Sequence, residues 1–236
     1  MAGIKGILFD KDGTLVDFQA TWFAIGDRMA MEAAGEDRSE ADRLMQLAGY
    51  DFEARAFKSD SVFAAGTNAD IVGLWYPGVD QDRKRAMIAK FDTVTAREGA
   101  LKAVALPGTK DAIASLHASG FRLGVATNDS TKGAEQTLLG LGIAQMFTAA
   151  YGYDAVANPK PAPDTVLAFC DLTGLRPAEI AMVGDNRHDL EMARAGDCGL
   201  AIGVLSGTGT RQSLAAMADV LLDSIADLPA FLAARG

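Results

Sequence analysis

Short apolar runs alternate with helical patterns along most of this chain, and that alternation restricts it to one architecture. The first run is Ile4-Lys5-Gly6-Ile7-Leu8-Phe9. Others lie at residues 121–126 (Phe-Arg-Leu-Gly-Val-Ala), 180–183 (Ile-Ala-Met-Val), 200–204 (Leu-Ala-Ile-Gly-Val) and 219–222 (Asp-Val-Leu-Leu). Runs this short and this apolar suit strands covered on both faces, the condition of a parallel sheet. Between them, Thr109 is positioned to cap a helix that carries Ile113 and Leu116 and ends at Gly120, a residue suited to the left-handed C-terminal position. Helices are expected over residues 130–140, 163–173, 187–195, 210–218 and 224–234. Strand–helix alternation from about residue 103 onward gives an α/β fold, a doubly wound parallel sheet with helices on both faces.

Residues 16–102 break the alternation. Phe18, Trp22, Ile25 and Met29 recur at i, i+4, i+7 and i+11, as along one face of a helix, and Met87, Phe91 and Val94 do the same further on. Gly35, Gly49, Gly73 and Pro77-Gly78 punctuate the stretch. It reads as an all-helical insertion after the first strand. The expected division is therefore 1–15 with 103–236 as the α/β core, and 16–102 as the insert.

Composition excludes several functions. The 236 residues carry a formal net charge of −9, and no Lys/Arg run forms a basic stripe, so nucleic acid is not an expected partner. An acidic protein that handles an anionic substrate must reverse the field locally, and that expectation points to a bound divalent metal. Cys170 and Cys198 are the sole cysteines, without CxxC spacing, which suggests neither a disulfide framework nor a zinc site. The first residues run straight into a strand with no leader pattern, and no apolar run approaches the ~18 residues a membrane span needs. A cytoplasmic protein is expected, with no membrane partner; the oligomeric state is not readable.

In open parallel sheets, ligands bind beyond the carboxyl ends of the strands. Asp10, Thr127 and Asp185 each follow an apolar run, so the fold should gather them in one crevice. Asp10 and Asp12 share an alternation face, and two carboxylates that close are costly unless a cation or a proton separates them. Lys160 lies in a Pro-rich loop, Asn-Pro-Lys-Pro-Ala-Pro-Asp. These groups supply a nucleophile, a proton-transfer carboxylate, a hydroxyl, an ammonium and a metal-binding carboxylate, the parts needed to take a phosphoryl group onto an aspartate and pass it to water.

Asp10-Lys11-Asp12-Gly13-Thr14-Leu15-Val16-Asp17 resembles the first signature of the haloacid dehalogenase-like superfamily, in the form its phosphatases carry. Thr127 matches the second signature, Lys160 the third, and Gly184-Asp185-Asn186-Arg187-His188-Asp189 the fourth. The resemblance spans the whole chain and is nearest to the phosphoglycolate phosphatase-like members. It implies a Rossmann-like core with an inserted helical cap. It also implies that Asp10 attacks phosphorus while Asp12 protonates the leaving oxygen and then activates water. Thr127 and Asn128 would bind phosphoryl oxygens, and Lys160 would neutralise charge on the phosphoryl group and Asp10. Asp10, the Asp12 backbone carbonyl and Asp185 would hold Mg²⁺. Asp189 would orient Lys160 or a water on the metal.

Those assignments lead to a Mg²⁺-dependent hydrolase of a small phosphorylated metabolite, similar to phosphoglycolate. A phosphomutase using the same aspartyl-phosphate is the alternative within enzymes, and a phospho-accepting receiver the alternative outside them. Lys11, alternating away from both aspartates, is expected to matter little. His188 is read as a helix-start residue, and Trp22, Phe23, Trp75 and Tyr76 mainly as helix packing. Arg28, Arg43, Arg55 and Lys58 read as solvated surface, and Gly207-Thr208-Gly209 as a simple turn.

Overall fold

The computed structural model describes residues 3–235. Strand β1 (Gly6–Phe9) leads into an insert of helices α1 (Phe18–Ala33) and α2 (Arg38–Leu47), strands β2 (Tyr50–Asp51) and β3 (Ala56–Phe57), and helices α3 (Val62–Ala65), α4 (Asn68–Trp75) and α5 (Gln81–Lys102). There follow α6 (Thr109–Ala118), β4 (Arg122–Ala126), α7 (Thr131–Leu141), β5 (Ala149–Tyr151), α8 (Asp164–Thr173) and β6 (Ile180–Gly184). The chain finishes with α9 (Arg187–Ala195), β7 (Leu200–Val204), α10 (Arg211–Leu214), β8 (Val220–Leu222) and α11 (Leu228–Ala233). No described helix is long and apolar enough to cross a membrane.

Six strands form one parallel sheet in the order β5-β4-β1-β6-β7-β8. β1 is central, and Phe9 stands in register with Val125 on one side and Val183 on the other. The residues that follow these three strands therefore emerge side by side. Alternate residues of β1 serve different layers: Ile7 and Phe9 pack with Ile113, Leu116, Leu138 and Leu228, whereas Leu8 packs with Phe169, Leu190 and Leu214. Both faces are thus covered, as a doubly wound sheet requires. Each fully buried aliphatic or aromatic side chain of this kind contributes about 1.5–3 kcal/mol relative to exposure.

The insert has its own apolar cluster. Phe18, Trp22, Ile25 and Met29 of α1 are all buried, packed with Leu44, Met45, Phe63, Trp75 and Phe91. To its helices the structure adds a two-stranded hairpin, β2 against β3, whose Tyr50 and Phe57 rings meet at 5.0 Å. The two passes between insert and sheet run antiparallel to each other: Val16 bridges Ala105, and Asp17 N–H donates to the Val104 carbonyl at 2.8 Å. Asp17 also caps α1 through its side chain. α5 then packs along α7 of the core.

Besides the β2–β3 hairpin in an insert expected to be all-helical, three elements differ from the sequence expectation. β5 is an additional edge strand built from Ala149, Ala150 and Tyr151, whose two small residues give no β-branched signal. α10 is one turn, ending at Leu214 rather than 218. Gly108, with φ of 78°, holds the N-cap position of α6 in place of Thr109, whose hydroxyl instead donates to the buried Leu15 carbonyl at 3.1 Å.

Candidate active site

β1 ends at Phe9, and the chain then folds into a tight loop in which the Lys11 carbonyl accepts the N–H groups of Leu15 and Val16. Asp10 N–H still pairs with the Val183 carbonyl at 2.8 Å, which fixes the Asp10 backbone to β6. Asp10, Asp12, Thr127, Asn128, Lys160 and Asp189 line one cleft, together with Asn186 and His188 from the core. Its other wall comes from the insert: Phe18, Trp22, Met29, Phe63, the stretch Ala64–Asn68, and Ile71. Asp185 sits behind this lining, 2 % exposed.

Lys160 is the electrostatic centre. Its ammonium lies 2.6 Å from Asp10 Oδ1 and 2.6 Å from Asp189 Oδ1, with all three residues buried. Burial alone would lower the Lys160 pKa, but the Asp10 and Asp189 charges raise it above the ordinary lysine range. Asp189 holds its place through Oδ2, which accepts Asn186 N–H at 2.9 Å in a capping box at the start of α9. Burial raises the Asp10 carboxyl to about 7, with Lys160 opposing and Asp189 and Asp12 adding to the rise.

Asp185 lies in a cradle. Thr14 Oγ1 donates to Oδ1 at 3.2 Å and Thr208 N–H to Oδ2 at 2.8 Å. A Cβ at Gly13 would come 2.6 Å from this carboxylate, and one at Gly207 2.0 Å from Oδ2. Gly13 also has φ of +85°, a backbone state that glycine alone adopts without strain. The Gly207-Thr208-Gly209 segment is therefore a wall of the site rather than a simple turn. Burial pushes the Asp185 carboxyl well up, and the neighbouring Asp10 and Asp189 charges push it the same way.

Ligand oxygens of Asp10, Asp185 and Asp189 all lie within 4.8 Å of one another. Carboxylates held this close in a buried site, with two of them raised by mutual repulsion and desolvation, fit a hard divalent cation. Asp189 meets the Lys160 ammonium, whereas the Asp185 oxygens accept only from Thr14 and Thr208, neutral donors that leave its charge for an ion beside Asp10.

The core grips the insert at one carbonyl. Asn128 Nδ2 donates to Ala65 O at 2.7 Å and to Lys160 O at 3.2 Å, and His188 Nδ1 lies 3.3 Å from the same Ala65 oxygen. Asn128 Oδ1 is buried with no hydrogen-bond partner among the described residues. Tyr153 Oη reaches Asp92 of α5 at 2.7 Å. Trp22 Nε1 donates to Asp12 Oδ1 at 2.6 Å, so the indole faces the site as well as the packing of α1.

A family model for haloacid dehalogenase-like hydrolases matches residues 4–197. A phosphoglycolate phosphatase from Salmonella typhimurium LT2 is 34% identical over 97% of this chain and 92% of its own length. The chain belongs to the haloacid dehalogenase-like hydrolases. As expected for a hydrolase of this family, its fold matches solved structures over nearly the whole length. A predicted phosphoglycolate phosphatase from Haemophilus somnus 129pt superposes with a TM-score of 0.73 at 23% identity, covering 98% of this chain and 99% of the other. CbbY from Rhodobacter sphaeroides, solved with phosphate, gives 0.66 at 23% identity, covering 95% and 96%.

Within this haloacid dehalogenase-like hydrolase, a second sequence expectation about the site is overturned. Lys11 does not point away from the aspartates: it is 1 % exposed, with its ammonium 2.5 Å from Asp12 Oδ2 and 3.2 Å from Asp129 Oδ2. Strand alternation ends at Phe9, so it does not govern a residue inside the following loop. His188 does stand at a helix start, its N–H donating to Asn186 Oδ1. Arg28, Arg43 and Lys58 form ion pairs on the exterior with Glu98, Glu40 and Asp51, and with exposed Arg55 they lie outside the cleft.

Proposed function

We propose that this chain is a Mg²⁺-dependent phosphatase, hydrolysing a small phosphomonoester through an aspartyl-phosphate on Asp10. The observation that carries this reading is the Lys160 ammonium at 2.6 Å from both Asp10 and Asp189, with Asp12 and Thr127 lining the same cleft. An oxygen of Asp10 attacks phosphorus, and the bond from phosphorus to the leaving oxygen breaks in line. Asp12 gives that oxygen a proton. Asp12 then takes a proton from the water that attacks the acyl phosphate, which cleaves the bond to Asp10 and frees inorganic phosphate.

Lys160 neutralises charge on the phosphoryl oxygens, and Thr127 Oγ1 and the backbone N–H of Asn128 bind them, the Asn128 side-chain amide protons being taken by the Ala65 and Lys160 carbonyls. Asp10, the Asp12 carbonyl and Asp185 hold Mg²⁺, with Asp189 keeping Lys160 in place. When bound, the ion supplies positive charge against the phosphoryl oxygens. Residues 1–15 and 103–236 act as the catalytic core, and 16–102 as a cap that closes over the cleft. The relatives named phosphoglycolate phosphatase support a compact two-carbon phosphate as substrate. Such a metabolite is dissolved in the cytoplasm, and neither nucleic acid nor a membrane is needed as partner.

Steady-state phosphate release from a panel of phosphorylated metabolites, phosphoglycolate included, tests the reading. Turnover is expected with Mg²⁺, none with chelator, and none from a folded Asp10→Asn variant. Undiminished release by Asp10→Asn would overturn it.

A further inference from the structure

Lys11 is among the largest fully buried side chains of the molecule, although it carries a charge. A buried ammonium persists only where partners offset its desolvation. Here Asp12 and Asp129 do so, and the Trp22 ring covers the cation at 5.1 Å from its centroid. Asp129 is itself built in. Its Oδ1 accepts Ser130 N–H at 2.7 Å, its own N–H donates to Thr127 Oγ1 at 3.1 Å, and Gly133 leaves room for its carboxylate, which a Cβ there would approach to 2.5 Å. Lys11 does not line the cleft, so whatever it does for the chemistry passes through the two carboxylates it touches there, Asp12 at 2.5 Å and Asp129 at 3.2 Å.

The two oxygens of Asp12 have different holders. Oδ2 is held from behind by Lys11, which belongs to the same loop and to the core. Oδ1 is held by Trp22 Nε1, which belongs to the insert. Only the second bond crosses from core to insert; the first lies within the core loop. We propose that Lys11, anchored by Asp129, is a positioning residue that fixes Asp12 by Oδ2 and thereby makes Oδ1 the oxygen that exchanges protons with leaving group and water. This rests on the reading of Asp12 as the proton-transfer carboxylate. It assigns to Lys11 a part in turnover rather than in substrate binding, because Lys11, unlike Asp129, does not line the cleft.

The test is a kinetic cycle on the intact chain, with the best substrate of the phosphate-release panel and saturating Mg²⁺. Lys11→Met keeps the length and removes the charge. Its kcat is expected to fall on the order of 10–100-fold, the scale of a misplaced catalytic group, with KM within about threefold of wild type. Asp12→Asn should lose about 10²–10⁴-fold. Adding Lys11→Met to Asp12→Asn should cost less than about twofold more, because the group it positions is already gone. Asp129→Asn, which leaves Lys11 in place, should lower kcat in the same direction and decides the matter if Lys11→Met does not fold.

An active Asp12→Asn variant would remove the reading of Asp12 and this proposal with it. An inactive Asp12→Asn beside fully active Lys11→Met or Asp129→Asn would overturn this proposal alone. So would a Lys11→Met loss equally large in the Asp12→Asn background, or one confined to KM.

Discussion

Asn128 and Ala65 are joined across the boundary between sheet and insert by a 2.7 Å hydrogen bond, and the same amide nitrogen holds the Lys160 carbonyl. One side chain thus ties the insert to the loop that carries the central cation. Asn128→Ala removes both bonds, each with a net worth of about 0.5–1.5 kcal/mol. A roughly tenfold loss in kcat/KM is expected with a normal circular dichroism spectrum. Asn128→Asp should be worse, because a carboxylate would face two carbonyl oxygens with no proton to offer. Parallel kinetics of the two variants check the order.

The indole of Trp22 makes another cross-boundary contact near the chemistry. Trp22→Phe keeps most of the ring surface against the apolar cluster and removes the N–H that reaches Asp12. Amide hydrogen exchange across residues 63–68 is expected to quicken in this variant, while β1 and β6 keep wild-type protection. Unchanged exchange in that stretch would show that the indole bond does not restrain the insert.

Stability of the metal-free protein should fall as pH rises. The Asp10 carboxyl is raised to about 7, chiefly by burial, and Asp185 is raised for the same reason. Between the unfolded value near 4 and the folded value, the native state holds more protons than the unfolded chain, so unfolding becomes easier as pH increases. The Asp10 share of the penalty is complete once the pH has passed its value of about 7, and Asp185 adds to the fall in the same direction. Mg²⁺ offsets that repulsion, so the ion should raise Tm more at pH 8 than at pH 5. Thermal melts with and without Mg²⁺ at the two pH values measure this, and Asp185→Asn should abolish most of the difference.

The glycine wall around Asp185 gives a prediction remote from the substrate. Gly207→Ala would put a methyl group 2.0 Å from Asp185 Oδ2, so the carboxylate must swing away. Mg²⁺ affinity is expected to drop about 10–100-fold, the usual effect of disturbing the support of a metal ligand. The Mg²⁺ concentration for half-maximal activity reports it, and a return of activity at high Mg²⁺ would separate this from unfolding.

Much of this was legible in residue order. The strands after which Asp10, Thr127 and Asp185 emerge are apolar on both faces, and their placement follows from parallel-sheet geometry alone. The helix over 187–195 was readable too, and its start carries the three-residue Asn186–Asp189 spacing of a capping box. Other features depend on distant partners and leave little local trace. β5 pairs through Ala149 and Ala150, which do not announce a strand, and β2 and β3 are two residues each, held by aromatic packing. Lys11 looked inert because alternation was carried past the end of the strand. Its environment needs Asp129, 118 positions later in the chain, and Trp22 from the insert.

The antiparallel pairing of Val16 with Ala105 has a consequence beyond catalysis. Departure and return of the polypeptide occur at adjoining points, so the registration of β1 with β4 and β6 owes nothing to the length or shape of what lies between them. A brief reverse turn could stitch the two ends together. Selection is accordingly free to enlarge, trim or replace the intervening eighty-odd residues, retuning which metabolites are admitted while the phosphorus-handling floor stays as it is.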